Sequence, residues 1–201
     1  TTSYAYDADG RMSSMTDPRG ITTQYGYDAA GRLVALTDAD QKTTRATYDG
    51  NGNMLTVTDP NGKTTTYTYD KANRPLTRTD ANGQQWSTTY DESGNIKTQT
   101  VPATPSPRTT TFTFDVLNRP TQVAYPDGST VAFTYDANGN RLTMTDSTGT
   151  TRYTYDALNR LSSKTDPQNK VVRYTYDGVG NVKTLTYPAG QNVTYGYDNA
   201  E

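Results

Sequence analysis

Aspartate is the residue type in this sequence with the most obvious capacity for chemistry. Ten aspartates directly follow an aromatic residue, and most of the others lie in a second set of Asp-x-x-Gly-like segments. A catalytic pair of carboxylates should occur once in a chain and should be set apart by its surroundings. Carboxylates that recur about every 21 residues are better explained as turn formers, so we predict no catalytic residue and no enzymatic activity.

Two segments place oxygen-bearing side chains at alternate positions, as the start of a calcium-binding EF-hand loop does. They are Asp49-Gly50-Asn51-Gly52-Asn53 and Asp136-Ala137-Asn138-Gly139-Asn140. Neither has the glutamate that closes such a loop, and turn formation already accounts for Asp, Asn and Gly. We therefore predict no metal site and no cofactor.

The residue types that are missing restrict function further. The chain has no cysteine and no histidine, which excludes disulfides, thiolate nucleophiles, histidine general bases and the common zinc sites. A formal net charge of −2 offers no basic surface for nucleic acid. No apolar run approaches the ~20 residues of a transmembrane helix, so membrane insertion is not expected.

The aspartates are positioned by an internal repeat. The aromatic-Asp pairs are separated by steps of 21, 21, 21, 21, 24, 21, 20, 21 and 21 residues. Their aromatic members are Tyr6, Tyr27, Tyr48, Tyr69, Tyr90, Phe114, Tyr135, Tyr155, Tyr176 and Tyr197. Such regularity predicts a single array of about ten repeats over residues 1–201, and we expect this array to be an excerpt of a longer protein.

Each repeat contains two turn signals. One starts at the Asp of the aromatic-Asp pair, and the other has the form Asp-Pro-x-Gly, which is typical of a type I turn followed by a residue in the left-handed region. The aspartates Asp17, Asp38, Asp59, Asp80, Asp127, Asp146 and Asp166 are expected to open turns of the second kind. The residues predicted to form turns are Asp7, Asp28, Gly31, Asp49, Gly52, Asp59, Pro60, Gly62, Asp70, Asp136, Gly139, Asp156, Asp177 and Gly180.

Between the turns lie segments of six or seven residues rich in Thr and Tyr, which favour strands. The sequence therefore predicts an all-β fold of tandem antiparallel hairpins, with about two strands per 21-residue repeat, forming one long, curled β-sheet. Aromatic residues two apart, such as Tyr25 and Tyr27, share one face and would form ladders across the repeats. In the other strand of each repeat, apolar residues lie three apart, such as Met12 and Met15. This spacing requires either a bulge or burial on both sides.

Two places depart from the repeat. The 24-residue step contains Pro102, Pro105 and Pro107, which predict an extended surface loop rather than regular pairing. The 20-residue step follows Gly149 and is expected to remove one strand residue. The only tryptophan, Trp86, stands where other repeats carry a small or polar residue. Trp86 and the three prolines are the candidate contact residues, but a tolerated surface insertion is the better explanation of the prolines, and packing is the better explanation of the tryptophan.

The segment Tyr27-Asp28-Ala29-Ala30-Gly31-Arg32-Leu33 and the turn Asp59-Pro60-Asn61-Gly62 resemble the YD, or Rhs (rearrangement hotspot), repeat. The resemblance covers essentially the whole chain and indicates a protein like the bacterial Rhs polymorphic toxins, in a family that also includes insecticidal toxin complexes and teneurins. It implies a β-sheet that spirals into a hollow shell around a toxin domain. The family's self-cleaving segment that closes the shell has no counterpart in this sequence.

The resemblance implies a structural wall segment that encloses a C-terminal toxin or another cargo polypeptide. Expected partners are that cargo and neighbouring repeats, with self-association through open sheet edges, and the expected location is secreted, extracellular or delivered by a bacterial secretion system. The alternative is a module at the cell surface that binds carbohydrate, such as a glycan, or protein through exposed aromatic residues or the proline loop.

Overall fold

The computed structural model describes residues 1–198 and contains nineteen β-strands that belong to one sheet. No residue in this described part of the chain is helical. The predicted all-β fold with two strands per repeat is confirmed. The chain divides into two compact units, one made of Thr1–Thr89 and Thr98–Arg108, the other of Tyr90–Lys97 and the residues from Thr109 onward.

The first unit is built from consecutive antiparallel hairpins. Its strands are β1 (Ser3–Tyr6), β2 (Met12–Thr16), β3 (Thr22–Tyr27), β4 (Leu33–Thr37), β5 (Thr43–Tyr48), β6 (Met54–Thr58), β7 (Thr64–Tyr69), β8 (Pro75–Thr79) and β9 (Gln85–Tyr90), and β10 (Ile96–Val101) has residues in both units. From β1 to β9, each strand pairs antiparallel with the next. All of these pairs are local in sequence, as the tandem hairpins require.

The second unit repeats the same arrangement. Its strands are β11 (Arg108–Phe114), β12 (Pro120–Ala124), β13 (Thr130–Tyr135), β14 (Arg141–Asp146), β15 (Gly149–Tyr155), β16 (Leu161–Thr165), β17 (Val171–Tyr176), β18 (Val182–Thr186) and β19 (Asn192–Thr194). Each again pairs antiparallel with its successor. The curl of the sheet stays a prediction.

A β-bulge precedes each aromatic-Asp turn whose register is defined. In the β5–β6 hairpin, Thr47 pairs with Thr56, whereas Tyr48 pairs with Met54, so that Leu55 is an extra residue. Equivalent register shifts occur beside Tyr6, Tyr27, Tyr69, Phe114, Tyr135, Tyr155 and Tyr176. The bulge changes the parity of the strand, so apolar residues three apart return to one face. Of the two explanations that the sequence left open, the structure shows the bulge.

One face of each unit carries the aromatic residues, and we call it the aromatic face. Directly opposed residues lie on the same side of a sheet, and in the first unit Tyr25 pairs with Leu36, which pairs with Thr44. In the second unit, Phe133 pairs with Met144 in the same way. Each odd-numbered strand has two aromatic positions on this face: the inner ring directly before the Asp, such as Tyr27, and the outer ring two residues earlier, such as Tyr25. These rings and the apolar residues opposite them define the aromatic face.

The opposite side, the hydroxyl face, carries threonine pairs. Thr47 and Thr56 hydroxyls lie 2.6 Å apart, and the same contact is made by Thr68 and Thr77. Further hydroxyl pairs are Thr16–Thr22, Thr37–Thr43, Thr58–Thr64, Thr89–Thr98, Thr134–Thr143, Thr145–Thr150 and Thr154–Ser163. Each pair joins adjacent strands, so threonine contributes cross-strand hydrogen bonds as well as strand propensity.

Within residues 1–198, no hydrophobic side chain is buried, and Thr151, at 6% exposure, is the single buried residue. Most rings and aliphatic side chains on the aromatic face are half-buried by their neighbours in the same sheet. Stability therefore depends on contacts between adjacent strands and repeats rather than on a packed core, as in other repeat proteins.

Candidate functional site

The aromatic-Asp turn is held by the aspartate alone, as the second repeat shows. The Asp28 backbone N–H donates to the Arg32 carbonyl at 3.0 Å, and the Gly31 N–H donates to the Asp28 carbonyl at 3.0 Å. Oδ1 of Asp28 accepts the backbone N–H groups of Ala30 and Arg32, each at 2.9 Å. Oδ2 accepts Nε–H of Arg32 at 2.7 Å. Both carboxylate oxygens are therefore engaged inside the turn.

These contacts keep the aspartates ionised. Hydrogen bonds from Arg backbone N–H groups are the largest cause that lowers the pKa of Asp7, Asp28, Asp70 and Asp156. The side-chain amide of the following asparagine is the largest cause for Asp49, Asp91 and Asp136. For Asp115 and Asp177, burial raises the pKa most, but hydrogen bonds outweigh it, so their pKa is also lowered. A carboxylate with a lowered pKa that is engaged in hydrogen bonds is a poor proton donor or acceptor near neutral pH.

The arginine after the turn connects one repeat to the next. Nη1 of Arg32 donates to the Asp49 carbonyl at 2.6 Å, and its guanidinium lies 5.0 Å from the centre of the Tyr48 ring. Arg119 makes the same two contacts with Asp136 and Tyr135, at 3.0 Å and 4.7 Å. Guanidinium groups also lie over rings in the pairs Arg11–Tyr27 and Arg160–Tyr176. One arginine thus donates hydrogen bonds to the aspartate of its own turn and to the carbonyl of the next turn, and it contacts the next tyrosine ring.

Where asparagine replaces this arginine, a different bridge forms. The Asn53 amide donates to Asp49 Oδ2 at 2.8 Å and to the side-chain oxygen of Asn73 in the next repeat at 2.7 Å. The equivalent bridges are Asn95–Asn118 at 2.8 Å and Asn140–Asn159 at 2.7 Å. The receiving asparagines Asn73, Asn118 and Asn159 occupy the glycine position of their own turns, with φ near 60°.

The two kinds of turn alternate from the third repeat onward. Gly-Asn ends the turns at Gly52, Gly94, Gly139 and Gly180, whereas Asn-Arg ends those at Asn73, Asn118 and Asn159. The sequence analysis missed this alternation. The signal was present, because the Gly-Asn turns at Gly52, Gly94 and Gly139 are each followed by an Asn-Arg turn 20 to 24 residues later. The structural unit of this part of the array is therefore a pair of repeats.

The tyrosines of the aromatic-Asp pairs bond the preceding repeat. The Tyr27 hydroxyl donates to the Met12 carbonyl at 3.0 Å, and the Tyr135 hydroxyl donates to the Pro120 carbonyl at 2.8 Å. Tyr48, Tyr69, Tyr155, Tyr176 and Tyr197 donate to the corresponding carbonyls. Successive rings are separated by an intervening strand, roughly 10 Å at the usual strand spacing. Arginine side chains lie in the interval where the repeat carries them, as Arg32 does beside Tyr48, and the aromatic ladder stays a prediction.

The second set of turns corrects two details of the sequence analysis. Asp127 does not open its turn, because the Gly128 N–H donates to the carbonyl of Tyr125, which takes the first position. The residue that is missing in the 20-residue step is removed from the turn and not from a strand. Asp146 pairs directly with Gly149, whereas a full turn such as the one from Asp17 to Ile21 is closed by the Asp17 N–H donating to the Ile21 carbonyl. Tightening the hairpin costs less than shifting the register of a strand.

The candidate contact residues lie in two places. Trp86 is half-buried on the aromatic face of β9, and the guanidinium of Arg78 lies 4.3 Å from the centre of its ring. Pro105 and Pro107 are exposed in the loop between β10 and β11, and Pro102 is half-buried there. Trp86 thus lies within a strand, whereas the three prolines lie in the loop that follows β10. Among residues 1–198, no cluster of three or more acidic residues could hold a metal ion.

No helix in the described part of the chain is both long and apolar enough to cross a membrane. The turns, rings and bridges described above form a structural system, in which the turn aspartates and the bridging arginines and asparagines bond groups of their own or a neighbouring repeat. Chemically, the arrangement can hold repeats in register and present an aromatic surface.

Comparison with known proteins identifies the repeat. The chain resembles the TcdB2-TccC3-Cdc42 crystal structure with a TM-score of 0.58 and 15% identity, over 98% of this chain and 14% of that one. It also resembles the Photorhabdus luminescens Tc holotoxin pore, with a TM-score of 0.56 and 19% identity, over 96% of this chain and 14% of the other. The chain thus spans about a seventh of these structures.

A comparison with curated proteins found no match. The RHS repeat family matches residues 1–22, 6–43, 48–85, 70–106, 90–130, 114–151, 135–171 and 155–191. These matches cover most of the array and include both the aromatic-Asp turns and the opposite turns. The chain therefore belongs to the RHS repeat family.

Proposed function

We propose that this chain is a wall segment of an Rhs-type shell whose aromatic face lies against an enclosed polypeptide. The observation that carries the proposal is that the side chains of the aromatic face remain exposed or half-buried. Rings and aliphatic side chains line it in both units, yet no hydrophobic residue within positions 1–198 is buried. Large exposed apolar surfaces mark interaction sites in soluble proteins, and an unfolded or partly folded polypeptide offers matching apolar groups.

The family and the related folds support this proposal. The RHS repeat family matches most of the chain, and the similar structures are toxin complexes that contain TccC3. By this relation, the cargo would be a toxin or another polypeptide carried by the parent protein. We further propose that the parent protein is secreted or delivered outside its cell, and that neighbouring repeats pair with the free edges of the outermost strands.

We propose no catalytic role for the repeats. The aspartates of the aromatic-Asp turns accept backbone hydrogen bonds within their own turns and have a lowered pKa. A catalytic carboxylate would need a free oxygen and an environment unlike that of the other copies. Any activity of the parent protein would then belong to another part of it.

Two adjacent residues of β5 allow a test of which face meets the cargo. Thr44 lies on the aromatic face, opposite Leu36, and Arg45 lies on the hydroxyl face, opposite Ala35. The natural chain has no cysteine, so Thr44→Cys and Arg45→Cys each introduce a single labelling site. Each variant would carry an environment-sensitive dye and be titrated with a reduced, carboxymethylated protein as an unfolded polypeptide.

The proposal predicts a saturable blue shift of the dye at position 44 and little change at position 45. A response at position 45 alone would place the cargo on the hydroxyl face and contradict the proposed orientation. The absence of a saturable response at both positions would contradict the enclosing role itself. Circular dichroism of both labelled variants provides the control for folding.

A further inference from the structure

One place on the aromatic face of the first unit departs from the repeat at three positions together. Arg78 takes a position that is Met15, Leu36 and Val57 in the preceding repeats. Trp86 takes a position that is threonine in the preceding repeats, and Thr88 takes the outer ring position that is Tyr25 and Tyr67 in others. The outer ring positions of the array are Tyr4, Tyr25, Ala46, Tyr67, Thr88, Phe112, Phe133, Tyr153, Tyr174 and Tyr195.

These departures meet in one pocket that spans three neighbouring strands. Strand β8 lies in the middle, because Arg78 pairs with Tyr67 of β7 on one side and with Trp86 of β9 on the other. The pocket has a volume of about 330 Å³. We call it the Trp86 pocket, and it is lined by Tyr67, Tyr69, Pro75, Leu76, Thr77, Arg78, Trp86 and Thr88.

The pocket is lined by a position that carries a ring in most repeats. Thr88 is smaller than the tyrosine or phenylalanine that stands at the outer ring position of eight other repeats, and a larger side chain there would occupy part of the pocket that Thr88 lines. A cavity of roughly 150 Å³ is already large enough for benzene, so about 330 Å³ accommodates an aromatic side chain with part of its backbone. The surrounding side chains of Tyr67, Tyr69 and Trp86 supply the ring contacts that aromatic groups favour.

The polar groups of the pocket favour a ring with a carboxylate nearby. Arg78 is an exposed cation at the pocket, and an arginine binds carboxylates in a bidentate manner. The Tyr69 hydroxyl is already engaged, because it donates to the Met54 carbonyl at 3.0 Å, and the Thr77 hydroxyl lies on the hydroxyl face, 2.6 Å from that of Thr68. Few groups are left to bind the several hydroxyls of a sugar, whereas one cation suits an acidic residue next to an aromatic one.

We propose that the Trp86 pocket binds an aromatic side chain of a guest polypeptide, with an adjacent carboxylate paired to Arg78. The identification of the guest as a polypeptide rests on the proposed wall function, whereas the pocket and its ligand chemistry do not. The pocket would act as a fixed attachment point within a face that otherwise makes non-specific apolar contacts.

Trp86 is the only tryptophan of the chain, so its fluorescence reports directly on the pocket. We would titrate the full chain with the capped dipeptide N-acetyl-phenylalanyl-aspartyl amide, and with its leucyl-aspartyl and phenylalanyl-asparaginyl counterparts. The expected result is a saturable change of tryptophan emission with the phenylalanyl-aspartyl peptide and binding about tenfold weaker with the leucyl one, equivalent to about 1.4 kcal/mol. Arg78→Gln should reduce the affinity for the acidic peptide to that of the asparaginyl peptide.

The decisive variant is Thr88→Tyr, which restores the ring of the repeat and fills the pocket. We expect it to fold and to lose the peptide-dependent emission change. Ala46→Tyr, which adds a ring at the same position of β5, serves as the matched control and should bind the peptide as the natural chain does. Thermal unfolding of both variants shows that they are folded.

Three outcomes would overturn the inference. They are unchanged binding by Thr88→Tyr, equal binding of the leucyl and phenylalanyl peptides, and a response to an N-acetylglucosamine oligosaccharide but to none of the peptides. The dye experiment at position 44 separates this inference from the wall function. A dye response without peptide binding contradicts the pocket alone, and peptide binding without a dye response contradicts the wall role alone.

Discussion

A single aspartate side chain organises each aromatic-Asp turn by using its two oxygens differently. Oδ1 of Asp70 accepts the backbone N–H groups of Ala72 and Arg74, and Oδ2 accepts Nε–H of Arg74. Neutral asparagine has only one acceptor oxygen, so it would fix the turn and lose the link to the arginine. This division explains why the pattern repeats an acid at this position and why both Arg and Asn are accepted four residues later.

At the residue scale, the tyrosine hydroxyls should contribute measurable stability. Tyr135→Phe removes the 2.8 Å hydrogen bond to the Pro120 carbonyl while it leaves the ring in place. We expect a loss of about 1 kcal/mol in the free energy of unfolding, the usual net value of one hydrogen bond. Urea unfolding followed by circular dichroism measures this change.

The natural chain supplies the reverse experiment at Phe114, which lacks the hydroxyl. By the pattern of the other repeats, Phe114→Tyr would place a hydroxyl near the Ile96 carbonyl, and we expect a gain of similar size, about 1 kcal/mol. Equal stability of Tyr135→Phe and the natural chain would show that these hydroxyls do not connect the repeats energetically.

At the scale of the element, the last turn position determines how much strain a hairpin carries. Gln41 stands at the glycine position of its turn with φ of 60°, a conformation that costs a residue with a side chain roughly 1–2 kcal/mol. Gln41→Gly keeps the Gln41 N–H bond to the Asp38 carbonyl and should raise the unfolding free energy by about 1 kcal/mol.

Gly20 provides the matched opposite change, because its φ is 84° and a Cβ atom there would meet nothing within 4 Å. Gly20→Ala should therefore destabilise the chain by a similar amount through backbone conformation alone. If both substitutions left the urea midpoint unchanged, backbone strain at this position would not contribute to stability.

The alternating turns allow a second test at the element scale. Asn159 accepts the amides of Asn138 and Asn140 at 3.0 Å and 2.7 Å, whereas the Asn169 side chain makes no hydrogen bond within residues 1–198. Both have φ of 60°, so replacing either by glycine relieves the same strain. We expect Asn169→Gly to stabilise the chain and Asn159→Gly to be about 2 kcal/mol less stable than Asn169→Gly, owing to two lost hydrogen bonds.

Denaturant midpoints of the two variants, measured side by side, give this difference. Equal midpoints would mean that the asparagine bridges form without stabilising the contact between repeats. In that case the alternation of Gly-Asn and Asn-Arg turns would need another explanation.

For the molecule as a whole, the repeated turns should produce a common response to acid. The pKa of the turn aspartates, among them Asp7, Asp49 and Asp136, is lowered from an ordinary value of 3.8. Ionised aspartate therefore stabilises the folded state above about pH 4, and this contribution is lost as the pH falls through the lowered pKa values. The midpoint temperature of thermal unfolding, measured between pH 7 and pH 2.5, should decline steeply below pH 4.

At alkaline pH, we expect the tyrosines to limit the stability of the folded state. Burial raises the pKa of Tyr69, Tyr155 and Tyr176 above 10.0, so the neutral hydroxyl stabilises the folded state below pH 10 and this contribution is lost above it. On the acid side, a midpoint temperature of unfolding that stays constant from pH 7 to pH 2.5 would contradict the role assigned to the aspartates.

Much of this fold follows from local sequence, because both turn types depend on residues four or fewer positions apart. The strands, the turns and the shared face of Tyr25 and Tyr27 could all be predicted in this way. The asparagine bridges and the hydroxyl bonds could not, since they connect residues 14 to 23 positions apart and depend on the bulge for their register. The sequence showed that Thr88 lacks a ring, but only the pairing of β7, β8 and β9 reveals the pocket that Thr88 and Trp86 line.

The alternation of turns also limits how such an array can grow. An asparagine bridge needs a Gly-Asn turn followed by an Asn-Arg turn, as at Asn53 and Asn73. A duplication or deletion of two repeats keeps every donor beside its acceptor, whereas a change by one repeat would bring two like turns together at the junction. Lengthening by duplication and shortening by deletion should therefore be tolerated more readily in steps of about 42 residues than in steps of 21.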